Sequence, residues 1–414
     1  MFHDLTFKNF PPFADQTIEF PQEREDKQLA ETHILTGVNG TGKTRLLSVL
    51  AAVLGNEEHL EKRAVGLGKD VGITLNAPAK PQRGYVQLNV PPIVLNVDVA
   101  TWETCPTIPA FAYNGTAYIE DAKVVFFKPT PKPDRKICLS FARPPEQSQQ
   151  LLQTIVNLLA QSGLEMRNAK GNPTLSRFVR LVSNLEKTIS EITGRDFQFN
   201  IAAYGEAQIS VNWGSEHGLH FSLLPDGLRS IIGWLAHAVA MTDAVLEGKG
   251  EIEDTPCIFL LDEIESHLHP SWQRKILPAF QRLFPQAQIF VATHSPFVIS
   301  SVNQAYIHIL KPSEKGVLAE KPIKTGKGSS YLSVVEDIMG LDELQIYDPE
   351  SERLLREFEA KRDDAYKQRD KQKRDEAQRE VQKSASEIAE RCDELHLIMG
   401  QEIAQMNRLF SAAQ

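Results

Sequence analysis

The sequence predicts an α/β fold built on a largely parallel sheet, and three observations carry that prediction. The octapeptide Gly37-Val38-Asn39-Gly40-Thr41-Gly42-Lys43-Thr44 matches G-x-x-x-x-G-K-[ST] at every fixed position, between a strand-like run and a helical one. Residues 257–261, Cys-Ile-Phe-Leu-Leu, are continuously apolar and end in Asp262-Glu263, the form of a strand buried on both faces of a parallel sheet. A further buried strand is expected over 288–292, running into Thr293-His294-Ser295-Pro296.

The elements follow in order. Residues 5–7 and 16–20 read as two strands around the turn-rich Asn9-Phe10-Pro11-Pro12-Phe13, before the P-loop strand 32–36 and a helix over 45–54. Residues 55–81 are glycine- and proline-rich and read as a loop-rich insertion; strand signals return at 85–90, 93–97 and 108–113, and a Pro-rich stretch follows at 128–133. Apolar residues then recur at helical spacing over 146–161 and 175–192, a helical pair expected to form an inserted arm. Strands are expected at 197–204, 207–213 and 219–222, then a helix over 227–246, a helix over 271–284 and a strand over 306–310.

After Gly340 the composition changes. Nine basic and eight acidic residues between Arg356 and Glu380 nearly cancel, which predicts a solvated helix laced with ion pairs. Beyond it Val381, Ile388, Leu395, Met399, Ile403, Met406 and Phe410 form an apolar stripe, which either folds back on its own chain or docks a partner. The expected organisation is an N-terminal lobe over 1–114, an inserted region over 115–196, a C-terminal lobe over 197–340 and a helical tail over 341–414.

Composition narrows the function classes. With 414 residues the chain holds two or three domain-sized units, or one large domain with insertions, and 42% hydrophobic residues suffice for a core. A formal charge of -9 gives no bulk attraction to nucleic acid, so binding of DNA or RNA has to come from a local site. Cys105, Cys138, Cys257 and Cys392 are scattered without a C-x-x-C pair, which argues against a zinc site or a disulfide framework. The N-terminus lacks a basic and apolar leader, and no run of about 18 apolar residues occurs. The expectation is a soluble cytoplasmic protein without a membrane partner.

The chemistry concentrates in two motifs. Backbone N–H groups of Asn39, Gly40, Thr41 and Gly42, with the positive end of the following helix, suit a phosphate; Lys43 reaches the β- and γ-phosphates and Thr44 offers its hydroxyl to Mg²⁺. Asp262, ending its strand, is placed to hold the same ion through water, and Glu263 to polarise the attacking water. Three features lie outside a simple kinase or small GTPase. They are Leu223-Leu224-Pro225-Asp226-Gly227-Leu228-Arg229-Ser230 opening a long helix, Glu265-Ser266-His267-Leu268-His269-Pro270 after the acid pair, and His294 at a strand end, the sheet edge where ligands sit.

Taken together, GVNGTGKT, LLPDGLRS, IFLLDEIESHLHP and VATHSPFVI resemble the ABC-type ATPase head of the RecF, SMC and OLD lineage, as found in anti-phage defence ATPases of the Septu and PARIS kinds. The motifs span about residues 1–54 and 219–312, and cover the middle and the tail only loosely. The resemblance implies a mixed-sheet P-loop NTPase head that dimerises, or assembles further, head to head, with each ATP between the P-loop of one subunit and the signature of the other. It carries Lys43 and Thr44 to phosphate and Mg²⁺, Asp262 to Mg²⁺, Glu263 to the catalytic base, Gly227 and Arg229 to the signature, and His294 to the switch histidine. It places His267 and His269 in the segment of dimer contacts, where the plainer reading is a helix start that merely packs. Pro225-Asp226-Gly227 departs from the Ser-Gly-Gly of transporter ATPases, which suggests slow hydrolysis or ATP used as a clamp. Asn114 is the positional candidate for a Q-loop residue, with a turn residue as the plainer alternative. Neither a C-x-x-C hook nor a very long coiled coil is present, and with a charged helix as its tail the chain is not expected to carry the Toprim nuclease of OLD proteins.

The function this suggests is an ATPase whose nucleotide state senses or controls a separately encoded effector, a nuclease in anti-phage defence. A RecF-like ATPase clamping DNA is the alternative, and a transporter subunit ranks last.

Overall fold

The computed structural model describes residues 1–56, 58, 71–76, 85–90, 93–98, 108–115, 138–141, 145–168, 177–204, 206–247, 249–326, 331–368, 370–391 and 393–412. Most of the expected 55–81 insertion, the Pro-rich 128–133, Cys105 and Cys392 lie outside them. The chain divides into two compact units, 1–334 and 335–414.

The first unit begins with β1 (Asp4–Lys8), β2 (Gln16–Glu19), β3 (Glu31–Thr36), α1 (Lys43–Val53), β4 (Val71–Asn76), β5 (Tyr85–Val90), β6 (Ile93–Asp98) and β7 (Ala110–Asn114). Then come α2 (Pro145–Asn168), α3 (Arg177–Thr193), β8 (Phe197–Tyr204), β9 (Glu206–Trp213), β10 (Glu216–His220) and α4 (Asp226–Leu246). It continues through β11 (Ile258–Asp262), α5 (Pro270–Leu283), β12 (Gln288–Ala292), β13 (Ala305–Ser313), β14 (Gly316–Ala319) and β15 (Ile323–Lys324).

The sheet that positions the site runs β14-β13-β3-β12-β11-β7, with β15 paired to β13. Its strands β13, β3, β12, β11 and the edge strand β7 are all parallel. Every residue of β3, β11 and β12 is buried, which is why β11 and β12 read as near-continuous apolar runs rather than alternating ones, while β3 buries a polar start, Glu31-Thr32-His33. A second sheet, β2-β1-β4-β6-β5, is mixed, and β10-β9-β8 form an antiparallel meander. The expected strand at 219–222 is instead the end of β10 at His220 followed by a single 3-10 turn, Phe221–Leu223, in which Phe221 is buried.

Helix α1 buries Leu46, Leu47 and Leu50 in one cluster with Leu35, Leu260 and Phe290. In front of it Phe7 and Phe13 stack with centroids 4.3 Å apart. The α2–α3 pair lies against the body of the first unit, in contact with α4 and α5, rather than projecting as an arm, and Leu152, Ile155, Val156, Leu185 and Ile189 are buried.

The amino-terminal part of the parallel sheet holds a buried polar cluster. His33 Nε2 lies 2.8 Å from Glu31 Oε1, and His33 Nδ1 lies 3.1 Å from His308 Nε2 on the neighbouring β13. Gln288, at the start of β12, donates to Glu31 at 2.5 Å and to the Phe2 carbonyl at 2.8 Å, and accepts the Phe2 N–H at 2.7 Å. His308 is fully buried, and burial together with the adjacent His33 holds its pKa well below the ordinary histidine value.

In the second unit α6 (Pro349–Lys367), α7 (Lys371–Ala389) and α8 (Asp393–Ala412) share a core of Leu354, Leu355, Phe358, Val381, Ile388, Leu395, Met399 and Met406. Between the two readings of the apolar stripe, the structure selects folding back on its own chain. The single charged helix expected over 356–380 is two: Gln368 is extended, and the Asp370 side chain caps a new start by accepting the Lys373 N–H at 3.1 Å.

Candidate functional site

Three strand ends build the site. β3 leads into the P-loop, β11 ends in Asp262, and β12, inserted between them, delivers His294. Parallel register therefore brings all three motifs to the carboxyl edge of the sheet, the edge where ligands sit in such folds.

The P-loop turns into α1 at Gly42, which caps the helix in the left-handed region at φ 88°. A side chain there would be strained and its Cβ would sit 2.9 Å from both Phe13 and Pro12, so the turn requires glycine. Val38, Asn39 and Gly40 are exposed, whereas Thr41 and Lys43 are buried. Lys43 Nζ donates to the Gly37 and Val38 carbonyls at 2.8 and 3.1 Å, so the loop wraps its own lysine. Burial lowers the Lys43 pKa, and the nearby carboxylates of Asp262, Glu263 and Glu265 oppose that shift.

Thr44 Oγ1 donates to Asp262 Oδ1 at 3.1 Å. Two hard oxygen donors from motifs 218 residues apart thus meet at the start of α1, a set that fits Mg²⁺. Glu263 leaves the strand: its φ is 50°, its N–H donates to the Ala292 carbonyl at 2.9 Å, and its side chain is exposed at the sheet edge. His294 is partly buried; burial lowers its pKa, Lys43 lowers it further, and Glu263 pulls it back up. Lys43, Thr44, Asp262, Glu263 and His294 consequently form one electrostatic group.

The remaining candidates lie outside this group, some of them next to it. Asn114 ends β7 in register with Asp262, and the following Gly115 donates its N–H to the Asp262 carbonyl at 3.0 Å. Gly227, at the start of α4, packs against the turn that follows the Asp262-Glu263 pair: a Cβ would lie 2.5 Å from the His267 carbonyl oxygen. Arg229 forms an ion pair with Asp226 on the same helix. Pro225 and Asp226 are exposed, and so is Leu223, with 68% of its surface accessible, so the helix start faces outward. His269 caps α5, its Nδ1 accepting from the Ser271 hydroxyl at 2.8 Å and from the Ser271 N–H at 3.2 Å, which is the plainer of the two roles considered for it. His267 is exposed with φ 61°.

Two residues that sequence reasoning passed over join the site. Glu265 Oε1 accepts the His294 backbone N–H at 2.9 Å, and Gln273 Oε1 accepts the Ser295 hydroxyl at 2.6 Å. The signal for Glu265 was in plain view, an acid three residues after Asp262, but the carboxylates before it accounted for the chemistry.

Residues 144–300 match the family described as "AAA domain, putative AbiEii toxin, Type IV TA system". This stretch carries α2, α3, α4, the acid pair and His294, and leaves the P-loop outside it. The chain resembles defence-associated ATPases. It is 23% identical over 182 residues to the Septu protein PtuA of Bacillus thuringiensis, covering 39% of this chain and 46% of that one. It is 36% identical over 92 residues to the Retron Ec83 probable ATPase of Escherichia coli, covering 22% and 17%. The chain thus spans less than half of the length of these relatives. Among solved structures, the SMC head bound to the C-winged helix domain of ScpA aligns with a TM-score of 0.43 at 12% identity, over 79% of this chain and 98% of that chain.

Proposed function

We propose that the chain binds and hydrolyses ATP with Mg²⁺ in a site completed by a second copy. The observation that carries this is the convergence of Lys43, Thr44, Asp262, Glu263 and His294 at one sheet edge, with Thr44 and Asp262 in hydrogen-bond contact.

Lys43 is enclosed by loop carbonyls whose partial negative charge a triphosphate's oxygens would replace, so its ammonium neutralises the β- and γ-phosphates. Thr44 and Asp262 would hold Mg²⁺, which when bound offsets charge on the phosphates. Glu263, exposed and carried out of the strand by its left-handed backbone, accepts a proton from the attacking water. His294, favoured neutral at pH 7 by burial and Lys43, donates one ring N–H hydrogen bond to a γ-phosphate oxygen.

Gly227 and Arg229 belong to an outward-facing helix start whose N–H groups and dipole suit an anion presented by a partner. Head-to-head pairing would place that helix start on the other subunit's ATP. The similarity to PtuA and to retron ATPases supports a defence role in which nucleotide state controls a separately encoded effector, for which we favour a nuclease. The four-part organisation at 1–114, 115–196, 197–340 and 341–414 belongs to the same reading.

Light scattering on Glu263→Gln with ATP and Mg²⁺ tests the composite site. A species of twice the monomer mass that reverts on adding Leu223→Arg, at the exposed approach to the α4 start, supports it, whereas a monomer that hydrolyses ATP overturns it. Co-expression with the product of the neighbouring reading frame tests the effector: a stable complex whose nuclease activity depends on ATP supports that part, and an activity indifferent to Lys43→Ala overturns it.

A further inference from the structure

Glu265 is an expensive way to hold a loop. Its Oε1 accepts one backbone N–H, that of His294, while Oε2 is buried without a hydrogen-bond partner among the described residues. Burial pushes its pKa up, against the Thr293 hydroxyl and the His294 amide, which pull it down. A carboxylate in such a place costs more than the amide or hydroxyl that could make the same bond.

The rest of the turn shows what the bond to His294 secures. Gln273 donates to the Glu265 and Leu268 carbonyls at 3.3 and 2.9 Å, and through Oε1 it takes the hydroxyl of Ser295. Ser295 in turn donates its N–H to Thr293 Oγ1 at 2.9 Å, and Thr293 donates its own N–H to the Leu35 carbonyl, the residue two before the P-loop begins. The loop carrying His294 is thereby fixed between the turn after the Asp262-Glu263 pair and the P-loop strand, and Glu265 bonds His294 itself. Its charge also reaches Lys43 and Glu263.

We propose that Glu265 is a positioning residue for hydrolysis: by holding the His294 backbone it sets the imidazole against Lys43 and Glu263. This rests on the ATPase reading above. Glu265 acts through geometry, and a side chain with an acceptor oxygen at the same reach retains the function.

The test compares Glu265→Gln, Glu265→Met and Glu265→Ala for kcat and for affinity towards a fluorescent ATP analogue, alone and combined with His294→Ala. Glutamine keeps an acceptor, and kcat is expected to stay within about threefold of wild type; methionine keeps the volume without the acceptor, and kcat falls on the order of 10- to 100-fold with nucleotide affinity changed less than about threefold. Adding His294→Ala to Glu265→Met is expected to cost little more than His294→Ala alone. Methionine at wild-type rate, or losses that multiply in the double variant, would overturn the assignment. If the alanine variant does not fold, the glutamine and methionine pair decides. If the wild type proves inactive, the ATPase reading fails on its own. The His294 C2–H resonance then still tests the positioning role, moving in the methionine variant and staying in the glutamine one; equal shifts in both sink it.

Discussion

One parallel sheet carries two clusters of acid and histidine, and they have opposite fates. At the carboxyl edge, Asp262, Glu263 and His294 stand around Lys43, with Glu263 exposed and His294 partly so. Towards the amino edge, Glu31, His33 and His308 are closed in by Gln288 and Phe2, with both imidazoles inaccessible. The side chains are of the same kinds; what differs is access. A histidine beside an acid becomes a candidate for chemistry only where strands end and loops part, and within the sheet the same pair is a way of satisfying buried polar atoms.

The comparison breaks most sharply under substitution. Glu263→Gln is expected to lower kcat by roughly 10²- to 10⁴-fold, measured by phosphate release, with the thermal transition essentially unmoved. Glu31→Ala should do the reverse, costing about 3 kcal/mol in chemical denaturation because His33 and Gln288 lose their shared acceptor. ATP turnover per folded molecule should stay within a few-fold. A loss of turnover there without a loss of stability would erase the distinction between the two clusters.

A smaller effect comes from pH. His308 has a folded pKa below its unfolded value, so the unfolded chain binds the extra proton as pH falls. Its contribution to stability is complete above about pH 6.5, the ordinary histidine value, and is lost as pH drops from there towards the folded pKa. Melting temperature measured from pH 7.5 to 5 should therefore fall less steeply in His308→Asn than in wild type. The smallest effect separates folding from chemistry inside one motif: His269→Ala removes the α5 cap and is expected to cost about 1 kcal/mol of stability, with ATP affinity unchanged by isothermal titration.

The carboxyl-edge cluster was legible because each of its members is announced locally. A glycine pattern marks the P-loop, and two continuous apolar runs end in Asp262-Glu263 and in Thr293-His294. The amino-edge cluster has no such signature: Glu31-Thr32-His33 looks like the polar start of a strand, and its partner His308 is 275 residues away. Only the parallel pairing of β3 with β13 reveals it. Glu265 escaped notice for a similar reason, since its bond to His294 joins two loops whose proximity depends on the strand order. In the second unit the apolar spacing was readable, but the break at Gln368 depended on a cap at Asp370 that a run of alternating charges conceals.

The left-handed backbone at Glu263 has a consequence for how this protein can be improved. A non-glycine residue held at positive φ costs on the order of 1 kcal/mol, and glycine would relieve it. The position proposed to carry the water-activating carboxylate is thus also one where the chain is less stable than it could be. Selection for heat resistance alone would be drawn to Glu263→Gly, and the protein it yielded would be sturdier and inert.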